Sequence, residues 1–488
     1  MYFISYNSTV DDECFILSDK FNTYRSEKFS LGYDSREWEK EPVSIIEDSI
    51  LAISGWYVYK NRKNDIHKLH CDFIKYGYLE TISNIECGSF VIYYKDEMNE
   101  IFFADPFGLK PHYYCKSNSG LSISPSPSLL NNEIDPGKLS ILEKRGHLFG
   151  DLTIYKGVSL IEAGFAYDIK NNEKFKYYDH LKATCIDNGD IINYISDKLK
   201  FWDAKEKSIA LSAGFDSRFL FASTETSFSY CWGPFKSKDR RVARALTGDL
   251  KQHQHIGFLF KKREASDCEK RISKLLLDGV VNNFREQFIA NYAYVDSLSH
   301  HQQVAIDGYL GDVLQRGVYN NFSGKLGEVL KLFPFFYRFG FSAQFIMRKR
   351  YQSLNDSEFE VLKNDFLFRT SNLNLSEMQK VTYYEFVYGR GARFITTGSQ
   401  VMNGTCKTVI SPFAFPVVFK SMLLSVSPKT MEYKTLQEIW KNISTDISSI
   451  TSEGMYSPRT KPVLIPFVNF FGRVLTNYVP RFKNYGQE

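Results

Sequence analysis

Apolar and polar residues alternate with a period of two along the first third of the chain, a pattern that is typical of half-buried β-strands. Turn residues separate these segments; Gly55 follows one of them and an Asp-Glu pair follows another. The clearest segments are residues 3–6, 50–53, 89–94 and 101–104. We therefore predict stacked antiparallel sheets from Met1 to about Tyr178.

The pattern changes after about residue 185, where short apolar strands alternate with segments of helical periodicity. Strands are predicted at 208–211 and 228–232, and helices at 190–197, directly after the turn at 212–217, and at 239–246. Strand-helix alternation predicts a parallel sheet whose ligand lies at the carboxyl ends of the strands. Since 488 residues are too many for one core, we predict two domains, residues 1–185 and 186–488.

The turn after the first of these strands carries two hydroxyls and one carboxylate. Gly214 and Ala213 allow a close approach of the backbone, and Ser212 and Ser217 add hydroxyl donors where the first N–H groups of a helix have no partner. Asp216 is suited to a divalent cation. We expect a phosphate site here, although an ordinary capped turn has the same spacing. The chain contains no G-x-x-x-x-G-K-[ST] phosphate loop.

The segment Leu-Ser-Ala-Gly-Phe-Asp-Ser resembles the L-S-G-G-x-D-S pyrophosphate loop of asparagine synthetase-like enzymes, with Ala213 in place of the first glycine. Alanine is tolerable there if its φ is negative. The resemblance implies that ATP and Mg²⁺ are bound and that a carboxylate attacks the α-phosphorus. An amine then captures the acyl-adenylate as an amide. It also implies nucleotide contacts at Leu211, Ser212, Gly214 and Ser217, with Asp216 on the metal.

Two further segments resemble the same family. Residues 101–114 are similar to the R-D-x-x-G-x-x-P-L-Y-Y hairpin of the glutaminase domain, and 305–317 to the S-G-E-G-S-D-E-x-x-G-G loop. The second match implies that Gly308 lies against the nucleotide and that Asp312 shares Mg²⁺ with Asp216. The family also places Trp232 at the adenine. A plain hairpin, an Asx-rich turn and a core tryptophan are the alternatives.

The fold that this resemblance implies has two parts. The first is an Ntn-hydrolase-like αββα sandwich, and the second is an adenine nucleotide alpha hydrolase domain with a parallel sheet and added helices. A glutaminase of this type needs Cys directly after Met1, but Tyr2 stands there. Cys14, the nearest thiol, has no free α-amine to activate it unless a processing step exposes it. We therefore expect a degenerate glutaminase domain that releases no ammonia.

The aminolysis half of the reaction is assigned by resemblance to Tyr309, Glu385 and Lys461. Asparagine synthetases have glutamate where Tyr309 stands, whereas β-lactam-forming relatives have a tyrosine paired with a glutamate. A phenol with a pKa of ~10 needs such help to act as a base at neutral pH. Lys434 is the alternative to Lys461, and a surface ion pair on its helix is the alternative for Glu385. The aromatic stretch 332–345 lies where substrate selectivity would sit, or it is core.

The predicted function is therefore an AMP-forming amide ligase that joins a carboxylate to an amine already on a small-molecule or peptide substrate. Lasso-peptide macrolactam cyclases and β-lactam synthetases are the nearest branch, which implies a protease or other biosynthetic enzymes as partners. Amidation of a uronic acid in surface-polysaccharide synthesis is one alternative. A silent binding scaffold is the other.

Composition excludes several other classes of protein. The formal charge of +5 and the short basic clusters at 261–263 and 348–350, expected to be solvated helix faces, argue against nucleic acid binding. Eight cysteines without regular spacing predict no disulfide framework, and His67, His70 and Cys71 are a weak metal candidate. No signal peptide and no apolar run of spanning length is present, so we expect a cytoplasmic protein without a membrane span.

Overall fold

A computed structural model describes residues 2–7, 20–117, 120–248, 250–282, 286–299, 302–452 and 454–478. Cys14 lies outside the described residues. The strands are β1 (Phe3–Tyr6), β2 (Phe21–Arg25), β3 (Phe29–Asp34), β4 (Val43–Ile46), β5 (Ser49–Tyr59), β6 (Arg62–Lys63), β7 (Cys87–Lys95), β8 (Glu100–Ala104), β9 (His112–Ser117), β10 (Gly120–Ser124), β11 (Val158–Ile161), β12 (Phe165–Asp168), β13 (Glu173–Lys176), β14 (Lys207–Ala210), β15 (Phe228–Trp232), β16 (Gln254–Phe258), β17 (Val304–Ile306) and β18 (Thr408–Ile410).

Most of the described α-helices lie in the second half of the chain. They are α1 (Ile66–Tyr76), α2 (Tyr78–Ser83), α3 (Pro136–Arg145), α4 (Ile191–Leu199), α5 (Phe215–Ser223), α6 (Lys238–Thr247), α7 (Asp267–Leu277), α8 (Gln287–Leu298), α9 (Gly311–Arg316), α10 (Gly324–Leu332), α11 (Ala343–Arg350), α12 (Asp356–Thr370), α13 (Glu377–Val387), α14 (Pro416–Ser425), α15 (Pro428–Met431), α16 (Lys434–Ile439), α17 (Thr445–Ser448) and α18 (Ile465–Tyr478). Among the described helices, none combines the length and the apolar character that crossing a bilayer requires.

The chain divides into two compact units. Unit 1 consists of Met1–Ala183, Glu264–Asp296 and Val387–Ile410. Unit 2 consists of Thr184–Arg263, Ser297–Phe386 and Ser411–Glu488. The first change of unit falls close to the predicted boundary at residue 185, and two later segments join unit 1.

Unit 1 is built on two antiparallel sheets. One has the order β11-β9-β10-β1-β3-β2, and the other β13-β12-β8-β7-β5-β4 with β6 beside β5. Phe29 and Tyr93 come from different sheets and their rings lie 4.6 Å apart, within a continuous apolar core that both sheets line. Alternation along each strand turns one row of side chains towards this core. The predicted antiparallel sheets are confirmed.

Unit 2 is organised around parallel strands. The sheet has five strands in all, and the four within unit 2 run in the order β16-β15-β14-β17. Each of these neighbours is paired in parallel; Ile209 on the central β14 lies between Ser229 and Ile306. The predicted parallel sheet is therefore confirmed. The specific domain types implied by the family resemblance stay predictions.

The start of α5 directly after β14 positions the predicted phosphate loop. The last extended hydrogen bond runs from the Leu211 amide to the Tyr230 carbonyl at 2.9 Å. Four residues later the helix begins at Phe215, and Phe219 anchors it against Phe413 and Trp440 with ring distances of 5.9 and 5.7 Å. This fixes the loop at the carboxyl end of the sheet's central strand.

Candidate functional site

The loop between β14 and α5 gathers its two hydroxyls around backbone amides. The Ser212 Oγ accepts a hydrogen bond from the Gly214 amide at 3.1 Å, and the Ser217 Oγ accepts one from the Ser212 amide at 3.1 Å. The two hydroxyl oxygens are 3.0 Å apart. Gly214 caps the helix in an extended conformation, with φ −66° and ψ 157°. Amides and hydroxyls thus converge at the positive end of the α5 dipole.

The amide of Ala213 in this loop already binds an anionic oxygen. It donates to Asp239 Oδ1 at 2.7 Å, from the first turn of α6. Ala213 does not adopt a left-handed backbone, which explains why alanine is accommodated in place of glycine. Sequence reasoning missed Asp239. The signal that could have found it is the Ser237-x-Asp239 start of α6, where Ser237 accepts from the Arg240 amide.

Asp216 and Asp312 form a coupled pair of carboxyls. Burial raises the pKa of Asp216 well above its usual range, and the negative charge of Asp312 and a hydrogen bond to it raise that pKa further. Gln315 Nε2 donates to Asp216 Oδ1 at 3.0 Å, and Trp440 Nε1 holds Gln315 by a bond of 2.8 Å to its Oε1. Two residues 96 positions apart are therefore brought together, and the metal that the resemblance places between them stays a prediction.

Two glycines allow the loop before α9 to approach Asp216. A Cβ on Gly308 would lie 3.0 Å from the Asp216 Cβ, and one on Gly311 would lie 2.7 Å from the Asp216 Cγ and 2.6 Å from the Phe413 Cε2. Between them Leu310 adopts φ +56°, which costs about 1 kcal/mol for a branched residue. The glycines are required by contact with this carboxylate. Their predicted contact with a nucleotide remains a prediction.

Arg316 completes this side of the site. It forms an ion pair with Asp312 one helical turn earlier, with Nε 3.1 Å from Oδ1. Its Nη1 donates to the Tyr456 hydroxyl at 3.2 Å, and its guanidinium lies 5.2 Å from the centre of the Phe215 ring. Sequence reasoning did not identify Arg316. Its i, i+4 spacing from Asp312 was the available signal.

The chemistry of the coupled pair fits a magnesium ion. A carboxyl whose pKa is raised by burial and by a neighbouring carboxylate gains from a divalent cation shared with that neighbour, and carboxylate oxygens are the ligands that Mg²⁺ prefers. Asp216 and Asp312 would hold it. Because no group of three or more His, Cys, Asp or Glu suited to a metal occurs in the described parts of the chain, the other ligands would come from phosphate and water.

The second metal candidate, the group of His67, His70 and Cys71, consists of side chains that already have protein partners. Both ring nitrogens of His70 lie within hydrogen-bond distance of serine hydroxyls, Ser49 at 2.8 Å and Ser44 at 2.9 Å. His67 contacts the Cys71 Sγ at 3.7 Å. These side chains belong to packing of α1 on its sheet.

Trp232 ends β15 and belongs to an aromatic group at the carboxyl edge of the sheet. Its ring lies 5.8 Å from that of Tyr230, 6.0 Å from Phe258 and 6.4 Å from Phe260. The indole is only partly buried. The indole thus lies at the end of the strand, and its role at the adenine remains a prediction.

Tyr309 and Glu385 both border one buried tyrosine, Tyr319. Burial raises the pKa of Tyr319 well above its usual value, with further contributions from Glu385 and Tyr309. Tyr309 is 3% exposed and packs edge-on against Phe386 at 5.9 Å. The predicted pairing of Tyr309 with Glu385 remains a prediction.

Glu385 is fully buried and has cationic and phenolic partners. Tyr351 donates its hydroxyl proton to Oε1, and Arg350 Nε lies 3.5 Å from the same oxygen. Arg350 also lies 4.5 Å from the centre of the Tyr319 ring. The expectation that residues 348–350 form a solvated face is wrong at Arg350, because the end of α11 turns this side chain towards the buried carboxylate.

The two lysine candidates occupy different surroundings. Lys434 pairs with Glu432 at 2.8 Å at the start of α16. Lys461 is exposed and directly precedes the short 3₁₀ helix Pro462–Leu464. The role of Lys461 stays a prediction.

In unit 1, the position that a glutaminase needs for its thiol is filled by a packed tyrosine. Tyr2 is fully buried, its hydroxyl lies 2.6 Å from the Thr408 Oγ1, and Lys110 Nζ is 4.4 Å from the centre of its ring. The seven cysteines among the described residues are free thiols. Tyr2 is therefore a packed core residue, and the degenerate glutaminase domain stays a prediction.

Comparison with protein-family models finds no match to this chain, and no curated protein matches it. The site is therefore assigned from its own geometry and from the sequence motifs.

Proposed function

We propose that the protein is an ATP- and Mg²⁺-dependent amide ligase that forms AMP. The observation that carries the proposal is the coupled pair Asp216 and Asp312 beside the hydroxyl-rich start of α5. Together these groups offer what a triphosphate requires: donors for anionic oxygens and a carboxylate pair for the bridging cation. The resemblance of the loop to the asparagine synthetase-like pyrophosphate loop supports the same function.

The reaction would proceed in two steps, adenylation of the carboxylate and capture of the adenylate by the amine. An oxygen of the substrate carboxylate attacks the α-phosphorus of ATP, and the bond to the β-phosphate breaks to release pyrophosphate. The hydroxyls of Ser212 and Ser217 would stabilise the charge on that leaving group, and Gly214 would let the backbone lie close to it. An amine then attacks the acyl carbon, and AMP leaves as the amide forms.

The second step requires that the attacking amine lose a proton. Tyr309 borders the buried group of Tyr319, Arg350 and Glu385, in which a carboxylate and an arginine lie within 3.5 Å. Such a group can organise proton exit through a phenol. We assign this role to Tyr309 with Glu385, and charge neutralisation to Lys461.

The source of nitrogen is the next part of the proposal. Because Tyr2 occupies the thiol position, we infer that no ammonia is made from glutamine, and that the substrate carries its own amine. Macrolactam closure of a peptide fits both requirements. A protease that frees the peptide's amine would then act before this enzyme.

Exchange of labelled pyrophosphate into ATP tests the first step. We expect exchange with a peptide carboxylate and Mg²⁺, and AMP rather than ADP as product. Asp216→Asn should abolish the exchange without loss of stability, because the amide keeps the bond from Gln315 and, like the protonated carboxyl, places no charge in the buried site. Asp446→Asn, at an exposed helical position of the same unit, should behave as the unaltered protein.

Three results would contradict the proposal. These are production of ADP, conversion of glutamine to glutamate, or no exchange with any member of a panel of peptides, amino acids and uronic acids. Exchange with uronic acids alone would indicate that the protein amidates sugars. A complete absence of exchange would indicate a binding scaffold.

A further inference from the structure

The last two residues of α9 each bind one carboxyl of the proposed metal pair. Gln315 Nε2 donates to Asp216 Oδ1 at 3.0 Å. Arg316 Nε donates to Asp312 Oδ1 at 3.1 Å, and its Nη2 donates to the same oxygen. The glutamine is neutral, whereas the guanidinium keeps its positive charge at physiological pH. Asp312 is therefore neutralised by a cation of the protein itself.

Arg316 is a departure from the motif that this loop resembles. Residues 307–317 align with the pattern S-G-E-G-S-D-E-x-x-G-G, in which the tenth position is glycine. An arginine at that position brings a planar group with five hydrogen-bond donors to the site. The resemblance assigns no role to this residue, so its role has to be read from its contacts.

The guanidinium lies beside the first turn of α5, next to the loop that gathers amides and hydroxyls. Its carbon is 5.2 Å from the centre of the Phe215 ring, and Phe215 directly follows Gly214, the residue that caps the helix. Arg316 Nη1 donates to the Tyr456 hydroxyl at 3.2 Å, and the Tyr456 ring lies 5.3 Å from that of Phe215. A cation at the positive end of a helix dipole is unfavourable by itself. The place therefore suits an arginine that shares an anion with the helix.

The ion pair of Arg316 with Asp312 can be reached by a ligand. The arginine side chain is 23% exposed and the aspartate side chain 40% exposed. Arg218, the arginine of α5, is fully buried, and it donates to the carbonyls of Gly214 and Ile450 at 3.1 and 2.6 Å. A ligand that enters from solvent therefore meets Arg316 before Arg218.

We propose that Arg316 binds the diphosphate portion of the nucleotide in exchange for Asp312, which is thereby freed for the divalent cation. In the amide ligase proposed above, on which this inference rests, that portion is the pyrophosphate that leaves. A guanidinium presents the same fork of N–H donors to a phosphate as to a carboxylate. Arg316 and a divalent cation both require the Asp312 carboxylate, so a phosphate that takes up the guanidinium lets both cations remain in the site.

A purely structural role for Arg316 gives a different expectation. An i, i+4 ion pair can simply orient Asp312 on α9, and loss of either partner would then leave the binding of phosphate without metal unchanged. Competition for the guanidinium predicts instead that removal of the Asp312 charge strengthens that binding. A gain of affinity also cannot result from misfolding.

Calorimetric titration of the full chain with pyrophosphate in EDTA tests this proposal. Arg316→Met should weaken binding at least about tenfold, because charge-assisted hydrogen bonds are lost. Asp312→Asn should strengthen binding about fivefold or more, because a neutral amide competes less for the guanidinium and no longer repels the phosphate. Arg369→Met is the matched control. It removes another Asp-to-Arg pair of i, i+4 spacing in unit 2, in which Arg369 Nε lies 2.9 Å from Asp365 Oδ1.

Weaker binding by R316M, stronger binding by D312N and unchanged binding by R369M would support the proposal. It would be overturned if the unaltered protein bound no pyrophosphate in EDTA, or if R316M bound it as tightly as the unaltered protein. No gain in D312N, or an equal loss in R369M, would overturn it as well. Exchange of labelled pyrophosphate into ATP is measured on the same preparations. Its absence from the unaltered protein would refute the amide ligase, whereas the titrations in EDTA alone decide whether Arg316 binds phosphate.

Discussion

Replacing Gly311 by alanine tests whether close packing on Asp216 holds the proposed metal pair together. The new Cβ would lie 2.6 Å from the Phe413 Cε2 and 2.7 Å from the Asp216 Cγ. Real Cβ atoms essentially never come closer than 3.0 Å to a neighbour. Phe413 is fully buried and cannot move aside, so we expect the loop before α9 to shift away from Asp216.

Two opposing effects determine how far Gly311→Ala lowers the free energy of unfolding. Overpacking of a rigid site costs about 1–3 kcal/mol. Alanine in place of glycine at a helical position stabilises the folded state by about 0.5–1 kcal/mol. From the middle of each range, the free energy of unfolding should therefore fall by about 1 kcal/mol. Pyrophosphate exchange should fall further, since a displacement of about 1 Å at a reacting site can cost about 100-fold in rate.

Urea unfolding and pyrophosphate exchange measure these two consequences separately. Gly189→Ala is the matched control, because its Cβ would meet only the exposed Asn442 amide, at 3.3 Å. That variant should retain both stability and exchange. The reasoning is refuted if Gly311→Ala unfolds at the same urea concentration as the control, or if it exchanges pyrophosphate at the unaltered rate.

Two further predictions concern buried ionisable groups. Burial, with a further contribution from the Lys110 charge, lowers the pKa of His112 to about 4, whereas an unfolded histidine titrates near 6.5. As pH falls from about 6.5 to about 4, the unfolded chain binds a proton at this residue before the folded chain does. The free energy of unfolding should therefore decline by about 3 kcal/mol over that range. In urea unfolding at a series of pH values, His112→Gln should flatten this decline, whereas the exposed control His67→Gln should not. Arg350→Met should cost about 3 kcal/mol because it leaves Glu385 charged and buried, and Glu385→Gln in the same chain should recover most of that loss. Equal stability of the single and double variants would show that the two groups are not coupled.

Local patterns in the sequence were sufficient for the main elements. Alternation predicted the antiparallel strands of unit 1, and the change to strand-helix alternation predicted the parallel strands of unit 2, because side-chain periodicity reports directly which face an element buries. The hydroxyls and the carboxylate at 212–217 were also visible, since a turn between a strand and a helix depends on neighbours in the chain. Resemblance to a family added the distant partner Asp312.

The tertiary structure decided which residues surround those groups. Asp239 reaches the Ala213 amide across 26 positions, and Arg350 turns inward to Glu385 although its neighbours in the sequence predict a solvated face. Phe339, in a stretch expected to be core or to set selectivity, is largely exposed. Such outcomes depend on contacts between segments far apart in the chain, and periodicity within one segment carries no information about them.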